Sequence, residues 1–78
     1  MVQDWNKNEL ILYFRKVAPE FSMESLIVRT TNALIRGGID TMAKLCDADE
    51  EKLIRVRNMG DKSRAFAMLV REKYMQSQ

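Results

Sequence analysis

Residues 32–45 read NALIRGGIDTMAKL, and this stretch sets the architecture expected of the protein. It begins as a helical pattern and closes on Gly37 and Gly38, which allow a tight turn because glycine adopts positive φ at little cost. Ile39 can then anchor the turn in a core, and Thr41 can cap the next helix. The pattern predicts two helices joined by a short turn, the outline of a helix-hairpin-helix.

A second stretch of this kind spans residues 53–69, LIRVRNMGDKSRAFAML. Gly60 stands where the last helix is expected to begin, and a glycine there lets a phosphate approach the backbone closely. The free N–H groups of the first helical turn point at such a phosphate, while Lys62 adds a charge and Ser63 a hydroxyl. Alternatively, Gly60 only permits a tight turn between packed helices, and Lys62 and Ser63 are solvated. We favour the phosphate contact.

Arg29 and Asn32 stand three residues apart, so they share one face of the second predicted helix. A guanidinium can enter the narrow minor groove of A·T-rich DNA, where the negative potential is strongest, and an Asn amide can donate to bases or phosphates. The alternative is that both residues only make the helix surface soluble. The residues taken alone favour this alternative.

The remaining turn residues are few, since the sequence has three Gly and one Pro, and the segments between them have helical patterns. An N-terminal helix is predicted over residues 6–17, with Asn6 and Glu9 at capping-box spacing and Pro19 ending the helix. Its aromatic residues, with the preceding tryptophan, are expected in the core or at a docking surface rather than stacked on bases. They are Trp5, Tyr13 and Phe14.

Three further helices are predicted after the second, whose candidate N-caps are Ser22 and Ser25. A turn or two of helix covers residues 41–45, and Asp47 and Asp49 are expected to start another short helix that runs through Leu53 and Ile54. The last helix runs over residues 61–74, with Ala65, Met68 and Leu69 on its inner face. Together the patterns predict an all-α protein, a compact bundle of four to five short helices with helix-hairpin-helix-like turns and an added N-terminal helix.

Composition limits the functional classes. A sequence of 78 residues forms one small domain, and its 46% hydrophobic and 31% charged residues are typical of a soluble globular protein. No histidine is present, which excludes a Ser-His-Asp triad and leaves no basis for a zinc site. Cys46 is the single cysteine and is interpreted as a small core residue. The sequence therefore predicts a non-enzymatic protein of the cytoplasm, with no cofactor, no signal peptide and no membrane contact.

Charge is distributed unevenly along the sequence. Residues 1–52 carry seven Lys or Arg against nine Asp or Glu, whereas residues 53–73 carry six basic residues against two acidic ones. A basic C-terminal part is a hint of a surface that faces a polyanion.

Taken together, residues 26–45, LIVRTTNALIRGGIDTMAKL, and residues 49–63, DEEKLIRVRNMGDKS, resemble the C-terminal domain of the bacterial RNA polymerase alpha subunit. The resemblance covers about residues 24–75 and rests on three ordered signatures. They are V-R-x-x-N-x-L at Val28, Arg29, Asn32 and Leu34; G-I-x-T at Gly38, Ile39 and Thr41; and L-x-x-x-R-N-x-G-x-K-S at Leu53, Arg57, Asn58, Gly60, Lys62 and Ser63.

The resemblance implies a helical transcription module that binds the minor groove of A·T-rich double-stranded promoter DNA and docks RNA polymerase or transcription regulators. By position, Arg29 is then the minor-groove residue. The DNA-binding set that the resemblance implies is Arg29, Asn32, Asn58, Gly60, Lys62 and Ser63.

The sequence also departs from the family pattern. Ile27 replaces a Ser or Thr N-cap, Asp61 replaces a frequently basic residue, and Phe66 replaces a common Glu. Residues 1–23 do not resemble the family's flexible linker, so we expect an N-terminal helical extension over 1–23 and the family domain over 24–78.

These departures leave a second function open. Asp61 and Phe66 favour a protein-interaction module that docks on RNA polymerase or a regulator without binding DNA, or a dimer formed through the N-terminal helix. An apolar face left exposed on residues 6–17 would support this alternative.

Overall fold

A computed structural model describes residues 8–77, and within this range the protein is helical with no strands. The predicted all-α bundle is confirmed. Five α-helices follow one another, with a 3₁₀ turn at Glu24–Leu26 before the second. They are α1 (Glu9–Phe21), α2 (Ile27–Arg36), α3 (Met42–Asp47), α4 (Glu50–Ile54) and α5 (Asp61–Gln76).

One hydrophobic core joins α1 to the rest of the bundle. α1 contributes Leu10, Phe14, Val17 and Ala18 to it, all essentially without solvent exposure. The Phe14 ring packs edge-to-face on Phe66 of α5, with centroids 5.2 Å apart. The helix expected as an addition is thus built into the same core as the others.

Polar contacts hold the N-terminus of α1 against the α2–α3 turn. The Asn8 side-chain oxygen accepts the N–H groups of Leu10 and Ile11 at 2.8 and 3.1 Å, so Asn8 is the N-cap. Glu9 accepts the Met42 N–H at 3.1 Å. The expected cap, Asn6, lies outside the described residues, and the helix begins after Asn8 instead, because Asn8 caps two amides at once.

Pro19 does not end α1, contrary to the sequence prediction. It lies inside the last turn, and the helix continues to Phe21. The end is set by Ser22, which adopts a left-handed backbone with φ 56° while the Met23 N–H bonds back to the Ala18 carbonyl at 3.2 Å. Ala18 is buried and Phe21 packs on the core, and this packing holds the last turn although Pro19 lacks an N–H for the helix.

The predicted N-caps of α2 are also wrong. Ser22 closes α1, and Ser25 lies inside the 3₁₀ turn, so neither caps α2. The helix begins at Ile27, whose N–H donates to the Glu24 carbonyl in place of a side-chain cap. The backbone of the 3₁₀ turn therefore fills the role that a serine was expected to fill.

The hairpin between α2 and α3 forms as predicted. Gly38 has φ 90°, and the Ile39 N–H bonds to the Leu34 carbonyl at 2.8 Å. Ile39 is buried at 1% exposure, and the Thr41 hydroxyl accepts the Lys44 N–H at 3.1 Å as the N-cap of α3.

The inner face of α5 differs from the predicted one. Ala65 and Leu69 are exposed, and Met68 is half-buried against the core. The buried positions follow the spacing i, i+3, i+4 and i+7, and a serine at the first of them conceals the pattern in the sequence. These positions are Ser63, Phe66, Ala67 and Val70.

No helix within residues 8–77 is both long and apolar enough to cross a membrane.

Cys46 is half-buried rather than a core residue. Desolvation by burial raises the pKa of its thiol, and the Arg71 guanidinium opposes this only in part. A thiol of raised pKa is a weak nucleophile at neutral pH.

Thr30 offers a stability test inside α2. Its hydroxyl is buried and finds no hydrogen-bond partner among the described residues, whereas the neighbouring Thr31 hydroxyl donates to the Ile27 carbonyl at 2.7 Å. Thr30→Val keeps the shape and removes the unsatisfied group, so we expect the free energy of unfolding to rise by about 1 kcal/mol. Urea titration followed by circular dichroism measures it.

Thr31→Val is the matched control, since it deletes a hydroxyl that is bonded. It should leave the free energy of unfolding unchanged or lower it. A loss of stability in Thr30→Val equal to that in Thr31→Val would contradict the assignment of an unsatisfied group.

Candidate nucleic-acid interface

An open groove of about 690 Å³ separates α2 from the N-terminus of α5. We call it the Arg29 groove. All six residues of the expected DNA-binding set contribute to its wall, although they lie up to 34 positions apart in the sequence. Its lining residues are Leu26, Arg29, Asn32, Ala33, Arg36, Asn58, Gly60, Asp61, Lys62 and Ser63.

One wall of the Arg29 groove is the exposed side of α2. Arg29 is exposed, and Asn32 follows one turn later and is half-buried. Arg36 is the third residue on the same face, and the sequence prediction did not include it. Its spacing of four from Asn32 and seven from Arg29 was the available signal.

The opposite wall is the turn before α5. Asn58 has φ 62°, so the left-handed position of this turn is occupied by asparagine, which tolerates it better than most side chains. Gly60 instead has φ −77° and ψ 179°, and a Cβ built on it meets no atom within 4 Å. The tight turn therefore does not require a glycine at position 60.

Gly60 is the N-cap of α5, and this helix has no side-chain cap. The helices α1, α3 and α4 are capped by Asn8, Thr41 and Asp49, so α5 differs from them. Gly60 and the first-turn residues Asp61, Lys62 and Ser63 line the groove, so the positive end of the helix dipole lies at its wall, beside the exposed Lys62.

Ser63 lines the groove but is only 2% exposed. Its hydroxyl is therefore not the free surface group that the sequence suggested. Asp61, which stands where the family often has a basic residue, is 94% exposed in its side chain and pairs with Arg64 at 2.8 Å. Part of its charge is thus balanced at the rim.

The features expected to favour protein docking are mostly used by the fold. Phe66 is fully buried against Phe14, which confirms the core assignment of Phe14 and removes Phe66 from the surface. Tyr13 packs edge-to-face on Tyr74, with centroids 5.1 Å apart. Trp5 lies outside the described residues. Over the described part of α1, Leu12 is the one large hydrophobic residue left exposed, at 48%.

Comparison with known proteins agrees with the geometry. Residues 23–65, more than half of the sequence, match the family model of the C-terminal domain of the bacterial RNA polymerase alpha chain. The protein is also 50% identical, over 38 residues, to a DNA-directed RNA polymerase subunit alpha of Moorella thermoacetica. The aligned part is 49% of this protein and 12% of that relative, so the protein spans a small fraction of the relative's length. No solved structure matches it.

Proposed function

The protein belongs to the family of C-terminal domains of the bacterial RNA polymerase alpha chain, which are DNA-binding, non-catalytic transcription modules, and on this premise we propose that its Arg29 groove binds A·T-rich promoter DNA. The observation that carries the proposal is the convergence of Arg29 and Lys62 on one groove. Within the described residues, neither side chain has an ion-pair partner, so both charges are available to a polyanion.

Arg29 is proposed to enter the minor groove. Runs of A·T pairs narrow the minor groove of the DNA and make its potential more negative. Such a minor groove attracts a guanidinium more strongly than that of G·C-rich DNA does. Asn32, one turn further along α2, can hydrogen-bond base acceptors or a sugar-phosphate oxygen beside it. The preference for A·T pairs thus comes from groove shape and charge rather than from many base-specific contacts.

The N-terminus of α5 is proposed to hold a backbone phosphate. Uncapped amides of the first turn can donate to its oxygens, Lys62 adds a point charge, and Gly60 leaves room because it has no side chain. Asn58 shapes the turn through its left-handed backbone and lines the groove beside Gly60. Ser63 contributes its backbone N–H.

Partners beyond DNA follow from the family. As a domain of an alpha subunit, the module would act in the cytoplasm, tethered to RNA polymerase, with regulators contacting surfaces outside the Arg29 groove. Docking without DNA binding is the alternative function, and dimerisation through α1 is a variant of it. Both alternatives have weaker support, because the main apolar residues of α1 are buried in the core of the protein.

A salt titration tests the proposal. With about three phosphates neutralised in the Arg29 groove, the contacts of this groove alone should make the logarithm of the association constant fall with the logarithm of salt concentration at a slope near −3. Fluorescence anisotropy with A·T-rich and G·C-rich duplexes of equal length measures both the slope and the preference. Binding to neither duplex at low salt would refute the proposal and leave the docking alternative.

Gly60→Asp should stabilise the fold while weakening DNA binding. An aspartate at this position can cap α5, which we expect to raise the free energy of unfolding by up to about 1 kcal/mol. The same carboxylate occupies the amides and repels a phosphate, so affinity for an A·T-rich duplex should fall by about tenfold or more. Thermal unfolding and anisotropy give the two values.

Gly60→Asn separates capping from charge, since it can cap α5 without a negative charge. We expect a similar gain in stability and a smaller loss of affinity. Unchanged DNA affinity in Gly60→Asp would show that no phosphate binds at the start of α5.

A further inference from the structure

We infer that the DNA backbone continues beyond the Arg29 groove into a second basic groove, where Arg36, Arg55, Arg57 and Lys52 bind further phosphates of the same duplex. This inference rests on the proposed function and extends its contact surface. None of the four residues belongs to the DNA-binding set expected from the sequence.

The second groove has a volume of about 640 Å³ and lies between the C-terminal end of α2 and α4 with the turn that follows it. We call it the Arg57 groove. It shares Ala33, Arg36 and Asn58 with the Arg29 groove, so the two grooves adjoin. An extended polyanion lying in the first is therefore directed past Arg36 and Asn58 into the second.

The charges of the Arg57 groove favour phosphate. Four cations line it against two carboxylates, those of Asp49 and Glu51. Asp49 already accepts the Lys52 N–H at 2.9 Å as the N-cap of α4. Three of the cations are guanidinium groups, whose planar donors match the oxygens of a phosphodiester.

Several basic residues outside the two grooves are held by partners within the protein. Lys44, Arg64 and Lys73 each form an ion pair at 2.8 to 2.9 Å, with Asp40, Asp61 and Glu20 respectively. Arg71 instead donates to two backbone carbonyls of α3.

No ion pair, by contrast, neutralises any cation of the two grooves within residues 8–77. These cations are Arg29, Arg36, Lys52, Arg55, Arg57 and Lys62. Cations gathered on one face repel one another, which is a cost to the compact state that a bound polyanion relieves.

Single charge-removing variants of the 78-residue protein test the inference. We expect Arg57→Gln and Lys52→Gln each to make the salt slope less negative by about 0.9 and to lower affinity five- to tenfold at about 0.1 M salt. The ratio of A·T-rich to G·C-rich binding should stay unchanged, because phosphate contacts carry no sequence information. Both side chains are exposed, so circular dichroism should report an intact fold.

Lys16→Gln is the matched control. Lys16 is exposed on α1 and lies outside both grooves, and its replacement removes the same charge. Equal changes of salt slope and affinity in Lys16→Gln and Arg57→Gln would show that only the net charge of the protein matters, and this would overturn the inference.

Arg29→Gln, measured in parallel, separates the two proposals. If Arg57→Gln and Lys52→Gln keep the salt slope of the wild-type protein while Arg29→Gln binds more weakly, the Arg57 groove does not bind DNA. The proposal for the Arg29 groove would then still hold. No duplex binding by the wild-type protein would overturn both.

Discussion

Phe66→Ala is expected to leave about half of the molecules unfolded at 25 °C. Phe66 is fully buried and packs edge-to-face on Phe14, one of the contacts that join α5 to α1. Removing a buried phenyl ring costs about 3 to 5 kcal/mol, which equals the net stability of about 3 to 5 kcal/mol that a core of this size supplies. Urea unfolding and far-ultraviolet circular dichroism measure the loss.

Two variants bracket this result. Leu69→Ala lies on the same helix but is 37% exposed, and it should cost less than about 1.5 kcal/mol. Phe66→Leu keeps most of the apolar volume and should fall between the two. A Phe66→Ala protein as stable as wild type would mean that α1 and α5 do not share a core.

Arg29→Ala is expected to weaken binding to an A·T-rich duplex by about 30- to 150-fold, equivalent to about 2 to 3 kcal/mol. The change removes the guanidinium proposed for the minor groove. Arg29 is exposed, so the free energy of unfolding should change by no more than about 0.5 kcal/mol. Anisotropy titration at fixed salt measures the affinity.

The controls separate shape from charge. Arg29→Lys keeps the charge but loses the planar guanidinium, so we expect an intermediate affinity and a reduced preference for A·T-rich DNA. Lys16→Ala removes a cation outside the groove and should have little effect. Equal affinity of Arg29→Ala and wild type would remove Arg29 from the DNA-binding surface.

The α2–α3 hairpin was predictable because its signals are local. Gly38 supplies the positive φ, Thr41 supplies the cap, and Ile39 is apolar at the position that turns inward. Each of these properties depends on neighbours within a few residues, which is the range over which sequence patterns are informative.

The sequence predictions are wrong where tertiary packing determines the end of a helix or its buried face. Pro19 stays inside α1 because the helix is held in the core. Ser22 adopts a left-handed backbone, which cannot be predicted from a serine in the sequence. The inner face of α5 was misplaced by one position because Ser63, a polar residue, is its first buried member. Burial of a serine is not visible in a hydrophobicity pattern.

The candidate site was predictable only in part. Local reasoning singled out Gly60 and Lys62, and the family resemblance was needed to choose Arg29 over an ordinary surface arginine. Arg36 shares the helical face of Arg29 and could have been found by spacing. The Arg57 groove could not, because it depends on how α4 and the end of α2 meet.

The most direct test of the central claim is a residue-by-residue record of amide chemical shifts as an A·T-rich duplex is added. We expect the largest changes at Arg29, Asn32, Asn58 and the amides from Gly60 to Ser63, all saturating at one duplex concentration. Changes confined to the exposed side of α1, around Leu12 and Lys16, would contradict the account and identify a different surface.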